Sequence, residues 1–243
     1  MKTLVVSIAV NADRRVAEMG RLIATFKEHT DYDFVVYLDK RNQHEYPDYG
    51  VPTHYFEDIS PESPFKIASS VFNYNLKFIA LHHAYNHYRD YDRVIWCDCD
   101  VFLKKPSVII DRIKSSDVTA ALTSFPPKKD SELIYNKLYQ LVGAYDDPEI
   151  KYSEKLLGLV PYVTEVLMVV IRSKASTQFL ENLKTVANIS NKAGITPSHE
   201  CVEIGFAIYL TPGLKMNTFR STGIPQEGAI FYEHRGVDHP LTV

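Results

Sequence analysis

Asp98 and Asp100 carry the most specific chemistry in this sequence. They interrupt Arg93-Val94-Ile95-Trp96-Cys97-Asp98-Cys99-Asp100-Val101-Phe102-Leu103, where an apolar run suited to a strand buried on both faces stops at acid. A carboxylate at the end of such a strand is costly to desolvate unless something positive meets it. A divalent cation is one such partner, and paired carboxylates suit the hard ions Mg²⁺ and Mn²⁺. If the strand continues through the acids, its two-residue period puts Asp98 and Asp100 on one side and Cys97 and Cys99 on the other. Both carboxylates then reach one metal. A loop acid pair that caps the next helix is the competing reading.

Two histidine arrangements also invite a metal, and both are weaker. His83 and His87 are spaced i, i+4 but have no acidic third ligand nearby, so a solvated helix face is expected. His199-Glu200 begins like the zinc-protease helix motif, but Glu203 stands where the second histidine belongs. Cys97 and Cys99 lack the two-residue gap of a zinc knuckle.

The elements that must position the acid pair follow from hydrophobic patterning. Thr3 to Val10 reads as a first buried strand, followed by a helix with apolar positions Val16, Met19, Ile23 and Phe26. Asp33 to Asp39 is a second strand ending in acid. The region from Lys40 to Pro64 is polar, with one short edge strand from Thr53 to Glu57. Phe65 to Tyr88 is the longest helical pattern and contains Lys77. Further strands are expected at Val118 to Thr123 and Tyr162 to Ile171. Helices are expected at Ser107 to Ser115, Ser131 to Ala144 and Ser173 to Val186, the last capped by Ser173, and a final helix opens near Pro197. Tyr145 to Val160 reads as irregular. Strand, helix, strand order implies an α/β fold with a mostly parallel sheet, helices on both faces, and ligands at the carboxyl ends of the strands. The Gly-x-Gly-x-x-Gly of a dinucleotide fold is missing, so a pyrophosphate must be held in another way.

At 243 residues, with 45% hydrophobic and 23% charged residues, the chain suits one domain, read as a nucleotide-binding half over 1–104 and an acceptor-binding half over 105–243. A formal net charge of −3 leaves no basic footprint for nucleic acid. Three cysteines are odd in number and argue for a reducing, cytoplasmic setting rather than a disulfide scaffold. The apolar start contains Ser7 and fits a strand better than a signal peptide, and no run is long enough to span a membrane.

The acid pair, the helical stretch before it and Val101-Phe102-Leu103 after it resemble the nucleotide-sugar glycosyltransferases of the GT-A, Rossmann-like fold. In outline the chain is similar to the glycogenin and lipopolysaccharide galactosyltransferase group. That resemblance implies a hexosyltransferase using a nucleotide diphosphate sugar, UDP-sugar being the commonest donor, and a glycan or glycoconjugate acceptor. It implies Mn²⁺ or Mg²⁺ on Asp98 and Asp100, with His234 of the closing segment as third ligand ahead of Glu233 or His239. Ala9, Asn11 and Asp39 would touch the nucleoside. Asp98 and Cys99 would lie along the donor, and Lys77, or Lys66, would meet its phosphates with His239 or Arg235. Glu200, with Glu203 beside it, would face the acceptor as base or clamp, and Asp100 would complete the catalytic set. Thr164-Glu165 departs from the small or amide residues of the family. The likeness of the tail to the glycogenin group favours retention of configuration. Two other classes also use such acids: a haloacid-dehalogenase-type phosphatase, with an acid nucleophile, and a non-catalytic sugar-nucleotide or glycan-binding domain.

Overall fold

A computed structural model describes residues 1–10, 13–40, 46–59, 76–103, 116–122, 131–195, 200–220 and 232–234. Strands β1 (Thr3–Ile8), β2 (Asp33–Leu38), β3 (Thr53–Tyr55), β4 (Arg93–Cys97), β6 (Val118–Leu122), β7 (Val163–Ile171) and β8 (Met216–Arg220) form one sheet in the order β3-β2-β1-β4-β7-β6-β8. β5 (Val101–Leu103) pairs separately with β9 (Tyr232–His234). Helices α1 (Asp13–His29), α2 (Phe56–Ile59), α3 (Leu76–His87), α4 (Ser131–Tyr145), α5 (Glu154–Leu159), α6 (Lys174–Lys192) and α7 (Cys201–Tyr209) complete the described elements.

The pairings β1–β2, β1–β4, β2–β3 and β6–β8 are parallel, and β7 runs antiparallel to both β4 and β6. The carboxyl ends of β1, β2 and β4 therefore share one edge with the start of β7. Burial follows the strand period. Leu4, Val6, Val94, Trp96, Met168 and Val170 face α3, α6 and α7, whereas Val5, Val36, Ile95, Cys97 and Val169 face α1. A third cluster joins α4 and α5 to the outer sides of α6 and α7 through Leu138, Leu156, Val186 and Phe206.

Most expected elements are present among the described residues; the edge strand expected over Thr53 to Glu57 stops at Tyr55, where α2 begins, and three further differences stand out. α6 runs to Lys192, six residues past the expected end, because Ala187 and Ser190 keep one face buried. Ser173 caps it as expected, in a reciprocal capping box with Ser176. The region from Tyr145 to Val160, expected to be irregular, contains α5, capped by Ser153 and anchored by the buried Leu156. A helix of six residues is too short for its periodicity to register. β4 ends at Cys97, and residues 99 and 100 form a turn closed by the Val101 amide on the Asp98 carbonyl at 3.2 Å. The helix expected over Ser107 to Ser115 lies outside the described residues.

Two contacts fix the helices that flank the acid turn. The Arg172 guanidinium donates to the carbonyls of Tyr85 at 2.5 Å and Tyr88 at 2.7 Å, binding the free carboxyl end of α3 to the end of β7. A glycine in mid-helix costs about 1 kcal/mol relative to alanine, yet α7 carries Gly205 where a Cβ would stand 2.0 Å from the Pro161 carbonyl oxygen. The loop into β7 can approach α7 only because that side chain is missing.

His83 and His87 do not form a simple wet face. His54 of β3 joins them, with ring centroids 5.1 Å from His83 and 5.4 Å from His87, and His83 shares a 2.8 Å hydrogen bond with the Tyr37 hydroxyl. Burial, then the neighbouring imidazoles, depresses His83 to about 4, and His54 is lowered for the same reasons.

Two outcomes test this packing. Gly205→Ala is expected to lose about 1–3 kcal/mol in urea unfolding, as overpacking does, and a wild-type midpoint would contradict the contact. A histidine with a lowered folded pKa contributes stability that is complete above its unfolded value near 6.5 and is lost as pH falls toward about 4. The urea midpoint should therefore drop between pH 7 and pH 5, and His83→Gln should flatten that drop.

Candidate active site

The acid turn sits where three strands end. Ala9 follows β1 and its amide donates to the Tyr37 carbonyl of β2 at 3.1 Å, while Asp39 follows β2 and is fully buried. The Tyr46 hydroxyl donates to Asp39 Oδ1 at 3.3 Å. Asp98 follows β4, and its amide donates to the Val166 carbonyl at 3.0 Å, so the turn lies against the first residues of β7. Nothing about the Thr164 and Glu165 side chains is described, although their backbone lies in this strand. The β6–β7 register also shifts here, between Ala120 and Ala121, a local irregularity of the kind that re-aims backbone beside binding sites.

Because β4 stops at Cys97, strand alternation does not govern the two acids. They turn to opposite layers. Asp98 Oδ2 accepts from Lys77 Nζ of α3 at 3.1 Å, and Asp98 Oδ1 accepts from the Trp96 indole at 3.2 Å. Asp100 Oδ2 accepts from Arg15 of α1 at 2.9 Å. The same guanidinium nitrogen donates to Glu18 at 2.8 Å. Both acids stay in one electrostatic neighbourhood. Burial chiefly raises the Asp98 pKa, Lys77 opposes it, and the charges of Asp100 and Glu200 add to the rise.

Lys77 also reaches across to α7. Its ammonium donates to Glu200 Oε1 at 2.9 Å, and the two residues are only 6% and 5% exposed. Glu200 occupies the N-cap position of α7 without making a side-chain cap, because its carboxylate turns to Lys77. The residues expected to serve the phosphates and the acceptor are therefore joined directly.

Glu203, the alternative to Glu200, belongs to a different environment. It is fully buried, paired with Lys137 of α4 at 2.7 Å and accepting from Ser190 of α6 at 2.9 Å. This ion pair ties three helices together, away from Lys77. Burial raises the Glu203 pKa against the opposing pull of Lys137.

Cys99 lies between the carboxylates, buried, with its sulfur 3.7 Å from Arg15 and 3.8 Å from Glu18. Burial pushes the Cys97 and Cys99 thiols up, so both stay protonated. The tail is brought in by β9, whose antiparallel register sets His234 opposite Val101 and Glu233 opposite Phe102. The backbone of His234 is thus next to the acid turn. Asn11, Lys66, Arg235 and His239 lie outside the described residues.

Arg15 was not among the sequence candidates. Its local signals are a basic residue in the first turn of a helix, where the dipole disfavours it, and Glu18 three positions on, while its partners in the acid turn lie 84 and 85 positions away.

Among the described residues no group of three or more His, Cys, Asp or Glu side chains stands ready to hold a metal ion. The His234 side chain is not among those described. The two acids are nonetheless of the hard-oxygen type that a dication takes, although their carboxylates face different layers. Asp98 and Asp100 supply carboxylate oxygens, each carboxylate has about four lone-pair sites, and a cationic group already stands against both. Among the described residues no helix is long and apolar enough to cross a membrane.

No protein-family model and no curated protein sequence matches the chain. Among solved structures the chain is similar to one described as the apo structure of WbbM, a bifunctional glycosyltransferase. The identity is 15% and the TM-score 0.44, over 79% of this chain and 37% of that chain. The chain thus spans well under half the length of that structure.

Breaking the Lys137–Glu203 pair leaves a buried charge. Lys137→Met is expected to cost about 3–5 kcal/mol in denaturant unfolding, and combining it with Glu203→Leu should recover most of that loss. Equal losses for the single and double variants would contradict the pairing.

Proposed function

We propose that the chain is a metal-dependent glycosyltransferase moving a hexose from a nucleotide diphosphate sugar, UDP-sugar first among donors, to a hydroxyl of a glycan or glycoconjugate. One observation carries this reading. The Asp98-Cys99-Asp100 turn, at the carboxyl end of the central strand β4, is gathered with Lys77 and Glu200 into one buried polar site. The sequence resemblance to GT-A enzymes supports the same assignment.

Asp98 and Asp100 would hold Mn²⁺ or Mg²⁺, with His234 as the histidine that the β5–β9 register brings alongside. The ion, when bound, supplies Lewis-acid neutralisation of the charge that develops on the leaving diphosphate. Arg15 orients Asp100 through a guanidinium nitrogen that also donates to Glu18. Ala9 and Asp39, at the ends of β1 and β2, line the place of the nucleoside. Asp39 is a carboxylate acceptor suited to ribose hydroxyls, and the Tyr46 hydroxyl donates to it.

The reaction breaks the bond between the anomeric carbon and the β-phosphate oxygen and forms one from that carbon to the acceptor oxygen. The acceptor hydroxyl proton must leave. Glu200, paired with Lys77, is the group that receives or orients it. In a retaining course, which the tail resemblance favours, the departing phosphate oxygen shares that task and Glu200 acts as a clamp.

A donor screen reporting released nucleotide diphosphate, with and without EDTA, tests the proposal. Turnover of a UDP-sugar should require the metal, and Asp100→Asn should lower it by about 100-fold or more, the scale of losing one electrostatic contact at the transition state, with an unchanged circular dichroism spectrum. Phosphate release from simple phosphoesters without any nucleotide-sugar turnover would indicate a phosphatase. Wild-type turnover by Asp100→Asn would end the assignment.

A further inference from the structure

Lys77 stands against the Asp98 oxygen that the Trp96 indole does not meet. Asp98 Oδ1 is taken by the Trp96 indole at 3.2 Å, and Oδ2 faces the Lys77 ammonium at 3.1 Å. The second carboxylate on that ammonium, Glu200 at 2.9 Å, lies 123 residues away on another helix, so the pairing is a product of the fold. Arg15 is a different kind of cation. One nitrogen of its planar group is shared by Asp100 and Glu18, whereas a lysine carries a compact charge on a flexible four-carbon stem.

We infer that Lys77 is the exchangeable counter-ion of the acid turn: it neutralises Asp98 and Glu200 in the metal-free protein, and releases Asp98 while keeping Glu200 when a dication binds. This inference rests on the reading that the acid pair holds a metal. The fold needs such a group, because two buried carboxylates, Asp100 and Glu200, share one neighbourhood with the partly exposed Asp98 and add to the cost of its charge. A metal and an ammonium cannot both sit on Asp98 Oδ2 without strong repulsion. The exchange would couple metal entry to the site of the acceptor. Once Lys77 leaves Asp98, its charge acts on Glu200 and on whatever anion lies beside it.

The measurement is Mn²⁺ affinity by titration calorimetry and electron paramagnetic resonance, without donor, on the wild type, Lys77→Met and Lys77→Gln. The glutamine variant preserves hydrogen bonding to both carboxylates and serves where methionine prevents folding. Removing the competing charge should tighten Mn²⁺ binding by about tenfold or more. The metal-free melting temperature should fall, and saturating Mn²⁺ should restore it. Mn²⁺ binding to the variants at wild-type strength or weaker, with the wild type binding normally, would overturn the exchange and leave the metal assignment standing. Binding by the variants alone would mean that the lysine outcompetes the ion, and supports it. No Mn²⁺ on any of the three, even with UDP added, would overturn the metal assignment and the exchange together.

Discussion

The constraint on which the site depends is charge compensation where a fully buried strand ends in carboxylates. β4 contributes Val94, Ile95 and Trp96 to a core that excludes water, and the next residues are acids with little access to solvent. Such groups persist only when cations meet them at short range. The fold supplies one from each layer, Lys77 from α3 and Arg15 from α1. Both helices in turn are fixed by the sheet, α3 through Arg172 at the end of β7 and α1 through Met19, Leu22 and Phe26 against the opposite face.

That arrangement gathers the acid turn, Lys77 and Glu200 into one polar cluster. The same carboxylates that meet cations in the folded protein are the ones proposed to hold a dication. The same lysine that neutralises them holds Glu200 at the start of α7. A second buried ion pair, Lys137 with Glu203, shows the contrast. Its charges are enclosed among three helices, with Ser190 as a further partner, and serve to register α4 against α6 and α7. Two glutamates one helical turn apart thus play separate parts because different helices face them.

Much of the fold was legible in the sequence. Continuous apolar runs marked β1, β2 and β4, the acid stop marked the carboxyl end of β4, and Ser173 marked the start of α6. What could not be read were pairings between distant positions. The Lys77–Glu200 contact spans 123 residues, the Arg15–Asp100 contact 85, and the β5–β9 pairing joins the middle of the chain to its tail. Local patterning contains no information about these. The expectation that Asp98 and Asp100 share a side failed for a local reason as well. The period-two rule applies only while the strand lasts, and β4 ends one residue before the first acid. His54 likewise joined His83 and His87 only through the placing of an edge strand.

The central claim is that Asp98 and Asp100 together seat a dication that a nucleotide diphosphate then shares. A crystal structure with Mn²⁺ and UDP, measured at the manganese absorption edge, tests it most directly. The account predicts an anomalous peak bonded to both carboxylates, with the diphosphate against it and Lys77 withdrawn from Asp98. Well-ordered UDP with no anomalous peak at the acid turn, and Lys77 still on Asp98, would contradict it.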